Sequence, residues 1–201
     1  MSLLLLTLAL AEPLTADDYF RLDHATVRDV SADGSTALVS VGRWNEASDR
    51  LQWDLWTFDL DDGTRERLTF DRQSEGSVAI GPDGAIWFAG AQDGGDDTPP
   101  LDGSRQVFRW ADGQAVPVTA VDGGIDRFEL SRDGRSLFVL RTVDHAWDDD
   151  FASLRSRHGD DITYGHGVQQ VSVIDRIDTT SWRSESVYED ERVVFEFAVS
   201  P

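Results

Sequence analysis

Three Asp-Gly pairs, Asp33-Gly34, Asp83-Gly84 and Asp133-Gly134, stand 50 residues apart, and a chain repeating at such an interval is built from copies of one supersecondary unit. Each pair sits in a related frame, Val30-Ser31-Ala32-Asp33-Gly34, Ile80-Gly81-Pro82-Asp83-Gly84 and Leu130-Ser131-Arg132-Asp133-Gly134, and each precedes an apolar run. A second series, Asp62-Gly63 and Asp112-Gly113, keeps the same interval. A two-residue hairpin turn of the primed type needs positive φ, which glycine adopts freely and aspartate better than most residues, so each pair predicts a hairpin.

The flanking runs, Thr36 to Val41, Ala85 to Ala89 and Ser136 to Leu140, are short and rich in β-branched and aromatic residues, hence strands, some of them buried on both faces. Asp54 to Leu60, Gln106 to Trp110 and Gln170 to Ile174 read as the next strands, and Arg65 to Thr69 or Ala115 to Thr119 as a fourth. Four short antiparallel strands per repeat predict propeller blades. The expected fold is all-β, an incomplete β-propeller of about three four-stranded blades plus the first strand of a fourth, preceded by a short N-terminal helix. The blades are expected over 26–70, 76–120 and 126–190, the third carrying an insertion at 145–167, and the opening strand of blade four over 193–201.

Three blades and one strand do not close a ring of four to eight. The sequence therefore predicts a piece of a longer protein, or a short product that closes by self-association, since open blade edges invite pairing with other chains. Cysteine is absent, which removes disulfides and thiolate metal sites. A net charge of −20 argues against nucleic acid, whose phosphates this surface repels. All basic residues are arginine. The run Leu3 to Ala11 is far short of a membrane span, and Ala9-Leu10-Ala11 before Glu12 matches a signal-peptidase site, so residues 1–11 are expected to be a signal-peptide remnant and the protein periplasmic or extracellular, the alternative being a cytoplasmic protein whose N-terminal run is not a signal. Over 12–25, Thr15 followed by Asp18 is an acidic capping box that predicts a helix packing Tyr19, Phe20 and Leu22 on the blades.

The stretch Leu14 to Leu22 leading to Val30-Ser31-Ala32-Asp33-Gly34, then Asp54-Leu55-Trp56 through Asp62-Gly63 to Arg67-Leu68-Thr69, resembles the N-terminal propeller of the prolyl oligopeptidase family of serine peptidases, its dipeptidyl and acylaminoacyl branches in particular. The segments Phe151 to Gly159, Tyr164 to Gly167 and Phe195 to Pro201 resemble blade insertions of bacterial members. The Ser-x-Asp-Gly hairpin is also similar to that of propellers like the translocation protein TolB. The resemblance implies a propeller that caps an α/β-hydrolase domain and selects short peptide substrates, the catalytic Ser, Asp and His lying in that other domain. No Gly-x-Ser-x-Gly elbow occurs in this sequence, so no catalytic residue, cofactor or metal is expected in this chain.

Dipeptidyl members hold the substrate amine with paired glutamates, which this sequence lacks. The acidic insertion offers Trp147, Asp148, Asp149 and Asp150 as candidate substrate contacts, because carboxylates bind an ammonium by charge-assisted hydrogen bonds. His145, His158 and His166 lie in the same insertion without the spacing of a zinc site. Asp93 to Asp97 and Asp59 to Gly63 depart from calcium-loop spacing and read as hairpin loops. Trp56, Trp87 and Trp110 fall inside predicted strands and are expected in the core.

Overall fold

A computed structural model describes residues 15–69, 77–143, 156–157, 171–190 and 193–200. After α1 (Ala16–Tyr19) come twelve strands in three four-stranded antiparallel sheets, each in plain meander order. Blade 1 holds β1 (His24–Val30), β2 (Thr36–Asn45), β3 (Arg50–Asp59) and β4 (Arg65–Arg67); blade 2 holds β5 (Val78–Ile80), β6 (Ile86–Asp93), β7 (Asp102–Ala111) and β8 (Gln114–Pro117). Blade 3 is β9 (Arg127–Leu130), β10 (Ser136–Val143), β11 (Val171–Asp178) and β12 (Ser184–Asp190). The first strands touch in succession, β1 against β5 and β5 against β9, so the blades radiate from a common side.

Two layers of apolar side chains hold the blades together. Leu38, Leu55 and Leu68 of blade 1 pack on Phe88 and Phe108 of blade 2, whose rings stack 5.7 Å apart. Trp87, Ala89 and Val107 pack the other way, on Phe128, Leu137, Val139 and Ile177 of blade 3. Consecutive residues Trp87, Phe88 and Ala89 are all buried and serve opposite faces, the pattern of a strand covered on both sides. Trp87 is core as expected, and Trp56 and Trp110 are partly buried against the apolar clusters.

The Asp-Gly hairpins form, but by a different turn. In Ser31-Ala32-Asp33-Gly34 the Gly34 N–H donates to the Ser31 carbonyl at 2.9 Å and only the glycine takes positive φ, +75°. This is a turn with Ser at its first and Gly at its fourth position, not the primed two-residue turn. Asp33 serves through its side chain instead: Oδ1 accepts from Ser31 Oγ (2.7 Å) and from the Ser35 N–H (3.0 Å), while Ser31 Oγ accepts from the Thr36 N–H (2.9 Å). Ser131, Asp133, Arg135 and Ser136 repeat the pattern. In blade 2 the serine is Gly81 and the hairpin is one residue shorter, with Ile80 opposite Ile86 where blade 1 sets Val30 opposite Ala37.

These bonds hold the Asp33 carboxyl down at about 2, the Ser31 hydroxyl contributing most, then the Ser35 N–H and hydroxyl. A depressed carboxyl contributes stability above its unfolded value of 3.8 and loses it as pH falls towards about 2. The melting-temperature advantage of the native chain over Asp33→Asn is therefore expected to shrink across that window; an unchanged difference would refute the assignment.

The second Asp-Gly series divides. Asp112-Gly113 is a two-residue hairpin with both residues at positive φ (52° and 78°) between paired Ala111 and Gln114. Asp62-Gly63 belongs to a longer loop, in which Asp59 Oδ1 accepts from the Asp61 and Asp62 N–H groups and Gly63 donates to the Asp59 carbonyl. Its counterpart is in blade 3, where Asp178 Oδ1 takes the Thr180 and Ser181 N–H groups and Trp182 donates to the Asp178 carbonyl. Trp182 thus occupies the glycine position, at φ 56° and 47 % exposed. A bulky residue is strained there, so Trp182→Gly is expected to raise stability by about 1 kcal/mol in denaturant titration. A loss of stability would show that the indole contributes more packing than its backbone costs.

Thr15 and Asp18 form the expected reciprocal cap, the carboxylate accepting from the Thr15 N–H at 2.8 Å. Tyr19, Phe20 and Leu22 are not packed away: they remain 56, 46 and 50 % exposed, Phe20 touching Trp44 at the rim of blade 1. Four helical residues present too little surface to cover them. Residues 193–200, which the sequence marks as opening a fourth blade, join no ladder among the described residues. They run along blade 3, with the Val194 N–H on Ser172 Oγ (2.8 Å) and Glu196 paired to Arg127 (2.9 Å).

Candidate functional site

Where the first strands of the three blades converge they leave an axial groove of about 270 Å³, with Thr26 and Arg28 from β1, Ser77 ahead of β5, and Arg127 and Glu129 from β9 on its walls. Arg28 reaches it through a β-bulge. The β1–β2 register shifts between Val27 and Asp29, leaving Arg28 as the extra residue, and bulges re-aim side chains in this way. Asp29, beyond the bulge, points to blade 2 and accepts the Ile80 N–H at 2.7 Å, which fixes the second inner strand against the first.

Arg127 bonds Glu196 from its Nη1 at 2.9 Å. Burial pushes the Glu129 carboxyl up, Arg127 pulls it back and Glu196 adds to the rise. The groove thus holds two guanidiniums and one partly desolvated carboxyl in a chain whose net charge is −20. Guanidiniums donate to carboxylates and carbonyls, and a carboxyl accepts from amines and amides. Together they suit a peptide, which offers both kinds of group.

No nucleophile-and-base pair accompanies them among the described residues. The histidine described is His24, which lies against Tyr19 and Trp53 at ring distances of 6.0 and 6.5 Å. No group of three potential metal ligands occurs among the described residues. Trp147, Asp148, Asp149, Asp150 and the insertion histidines His145, His158 and His166 lie outside the described residues. The sequence reading missed Arg28, Arg127 and Glu129, although all three stand just ahead of the Ser-x-Asp-Gly boxes, on strands that an inner position makes channel-lining.

No family model matches this sequence, and no curated protein matches it. Solved structures do. An acylaminoacyl peptidase from Pyrococcus horikoshii superposes with a TM-score of 0.58 at 14 % identity, over 86 % of this chain and 26 % of that one. The putative TolB of Agrobacterium tumefaciens gives 0.53 at 16 % identity, over 83 % and 50 %. The fold is an incomplete β-propeller. AtxE2 isopeptidase with astexin3-dC4 bound gives 0.57 at 14 % identity, over 89 % of this propeller and 32 % of that chain. The propeller therefore spans half or less of the length of each of these neighbours. A second cleft, about 690 Å³, lies on the outward face of its third blade between Phe138, Arg176, Val187 and Val199, where a ring would continue.

Proposed function

We propose that this chain is the non-catalytic, substrate-selecting propeller of a secreted serine peptidase of the prolyl oligopeptidase type, admitting and orienting peptides for an α/β-hydrolase domain. The observation that carries the reading is the axial groove, where Arg28, Arg127 and Glu129 stand on inner strands of the first and third blades. The likeness in fold to acylaminoacyl peptidase and isopeptidase propellers supports it, and Ala9-Leu10-Ala11 supports export. In this reading Trp147 and the carboxylates Asp148, Asp149 and Asp150 add an acidic rim for the substrate amine.

Short peptides titrated into the 201-residue chain are expected to change its tryptophan fluorescence, and Arg127→Ala to weaken that binding about tenfold, the worth of one charge-assisted contact. Absence of binding by any member of a di- and tripeptide library overturns the groove as a peptide site. A gene product that continues through a Gly-x-Ser-x-Gly elbow is expected to label with a serine-directed fluorophosphonate. If no such product exists, the groove serves a TolB-like binding module, the second reading, which the likeness to the Agrobacterium tumefaciens structure favours.

A further inference from the structure

Eight Asp-Gly pairs occur in this sequence, and Asp-Gly is the dipeptide in which a main chain most readily attacks its own side chain, since glycine has no Cβ to hinder its nitrogen. The attack needs an aspartate free to rotate, a carboxyl that can lose its hydroxyl, and a glycine N–H not committed elsewhere. The fold withholds these from the eight pairs unequally.

In the three boxes both partners are engaged. The Gly34, Gly84 and Gly134 N–H groups donate to the carbonyls of Ser31, Gly81 and Ser131 at 2.9, 2.9 and 2.8 Å. Asp33 and Asp133 accept from serine hydroxyls and from the N–H groups that follow them, and Asp83 is shared between the Ala85 N–H and Arg109. The bonds at Asp33 hold its carboxyl down at about 2, in the ionised form that has no hydroxyl to lose. Asp62-Gly63 and Asp93-Gly94 are tied in the same way: Asp62 takes the Thr64 N–H and Asp93 the Gly95 N–H, while Gly63 and Gly94 donate to the carbonyls of Asp59 and Leu101. The Asp102 carboxylate accepts from the Ser104 N–H and hydroxyl.

Two pairs are left, one before β8 and one after it. Among the described residues neither Asp112 nor Asp122 takes a hydrogen bond on its carboxylate, and neither Gly113 nor Gly123 donates its N–H. All four residues are exposed. They differ in what a rotation of the aspartate would tear. Asp122 lies in a segment pinned on both sides: buried Gln106 holds the Val121 N–H and carbonyl, the Gly124 N–H closes on the Val121 carbonyl at 2.9 Å, and the Ile125 N–H on the Arg105 carbonyl at 2.8 Å. A Cβ at Gly124 would stand 2.9 Å from that Arg105 carbonyl, so the segment has no room to shift towards it. Asp112 is held only by the Ala111–Gln114 pair at the tip of the β7–β8 hairpin. Strand β8 is four residues long and is paired on one side alone, so this tip opens at least cost.

We propose that Asp112-Gly113 is a site of spontaneous covalent modification, where the chain closes to a succinimide and reopens as isoaspartate. The Gly113 nitrogen bonds to Asp112 Cγ, and the carboxyl hydroxyl leaves with the amide proton as water. Solvent water then opens the five-membered ring at either carbonyl. Opening at Cγ restores aspartate; opening at the main-chain carbonyl leaves the backbone running through Cγ, one methylene longer, beside a free α-carboxylate. No electron is transferred, and water is the only co-reactant. The modification goes beyond the peptide-selecting role and does not depend on it, since the turn lies at the outer edge of blade 2 and the axial groove is walled by inner strands.

The 201-residue chain, incubated folded at about pH 5, where an ordinary aspartate is still protonated in small part, is expected to accumulate isoaspartate at Asp112. The rate there should exceed that at Asp33, Asp83, Asp122 and Asp133 at least about tenfold, the factor that one or two opened hydrogen bonds supply. Peptide mapping with electron-transfer fragmentation tells the isomers apart, and circular dichroism through the incubation shows that the fold is kept. In guanidinium chloride all eight pairs are expected to convert at similar rates. Asp112→Glu, which cannot close a five-membered ring, should give no rearranged product at that position. Conversion at Asp112 no faster than in the boxes, or equal conversion at Asp122, overturns the proposal. So does a preference for Asp112 that survives denaturation, which would make the sequence and not the fold its cause.

Discussion

Phe108→Ala is expected to lower the stability of the chain by about 3–5 kcal/mol, the range for emptying a fully buried phenylalanine site. Its ring is 0 % exposed, stacks on Phe88, and meets Leu38, Leu55 and Leu68 across the junction of the first two blades. Leu38, Leu55 and Phe88 belong to paired strands on both sides of the junction and Leu68 directly follows β4, so the cavity has little scope to collapse. In a repeat array the junction between units carries the cooperativity. Denaturant titration followed by tryptophan fluorescence should therefore show more than a shifted midpoint: blade 1, with Trp44, Trp53 and Trp56, should unfold ahead of the remainder. Val116→Ala on β8, 41 % exposed, is the control and should move the midpoint little. If Phe108→Ala costs no more than that control, the junction does not hold the blades together as described.

The parts of this architecture that the sequence discloses are those whose signals are local. Ser31, Asp33 and Gly34 form a closed set of hydrogen bonds within the six residues from Ser31 to Thr36, so their recurrence at Ser131, Asp133 and Gly134 marks a hairpin without knowledge of anything distant. Apolar runs locate β2, β6 and β10 for the same reason. The turn type was not disclosed, because an Asp-Gly pair is compatible both with a primed turn, as at Asp112-Gly113, and with a side-chain-capped turn ending in glycine, as at Asp33-Gly34. Nor does composition show that Trp182 stands in the place of Gly63, since the loops are related by the bonds of Asp178 and Asp59 rather than by glycine.

The groove was still less visible. Arg28 reaches the axis through a register shift in a pairing with β2, and Arg127 and Glu129 meet it because two blades bring β9 near β1. Such placements arise between strands, where a one-residue slip exchanges the faces. The clusters that do stand out in the sequence, Asp148 to Asp150 and the insertion histidines, are conspicuous through composition alone, which says nothing of what lies beside them.

Gln106 shows the same limit and yields the second large effect. It is 0 % exposed, and its amide is used at both ends: Oε1 accepts from Thr119 Oγ1 and the Val121 N–H, each at 2.9 Å, while Nε2 donates to Ser104 Oγ at 2.9 Å and the Val121 carbonyl at 2.8 Å. Thr119 Oγ1 in turn accepts the Val107 N–H, just as Thr69 Oγ1 accepts that of Leu55, both at 2.9 Å. The threonines, 50 residues apart, cap strand positions that the short outer strands β4 and β8 do not reach. In blade 1 the residue ahead of Leu55 is Asp54, paired to Arg67 at 2.8 Å, so the same place is filled by an ion pair in one blade and an amide in the next. Gln106→Leu keeps the volume but leaves the Val121 N–H and the Thr119 hydroxyl without an acceptor. Each buried orphan costs about 1–3 kcal/mol, and the loss expected in denaturant titration is about 2–4 kcal/mol, summed over groups that share one network. Thr119→Val in the Gln106→Leu background should then cost clearly less than Thr119→Val alone. Full additivity of the two changes would mean that the amide and the hydroxyl act separately, and the network as described would be wrong.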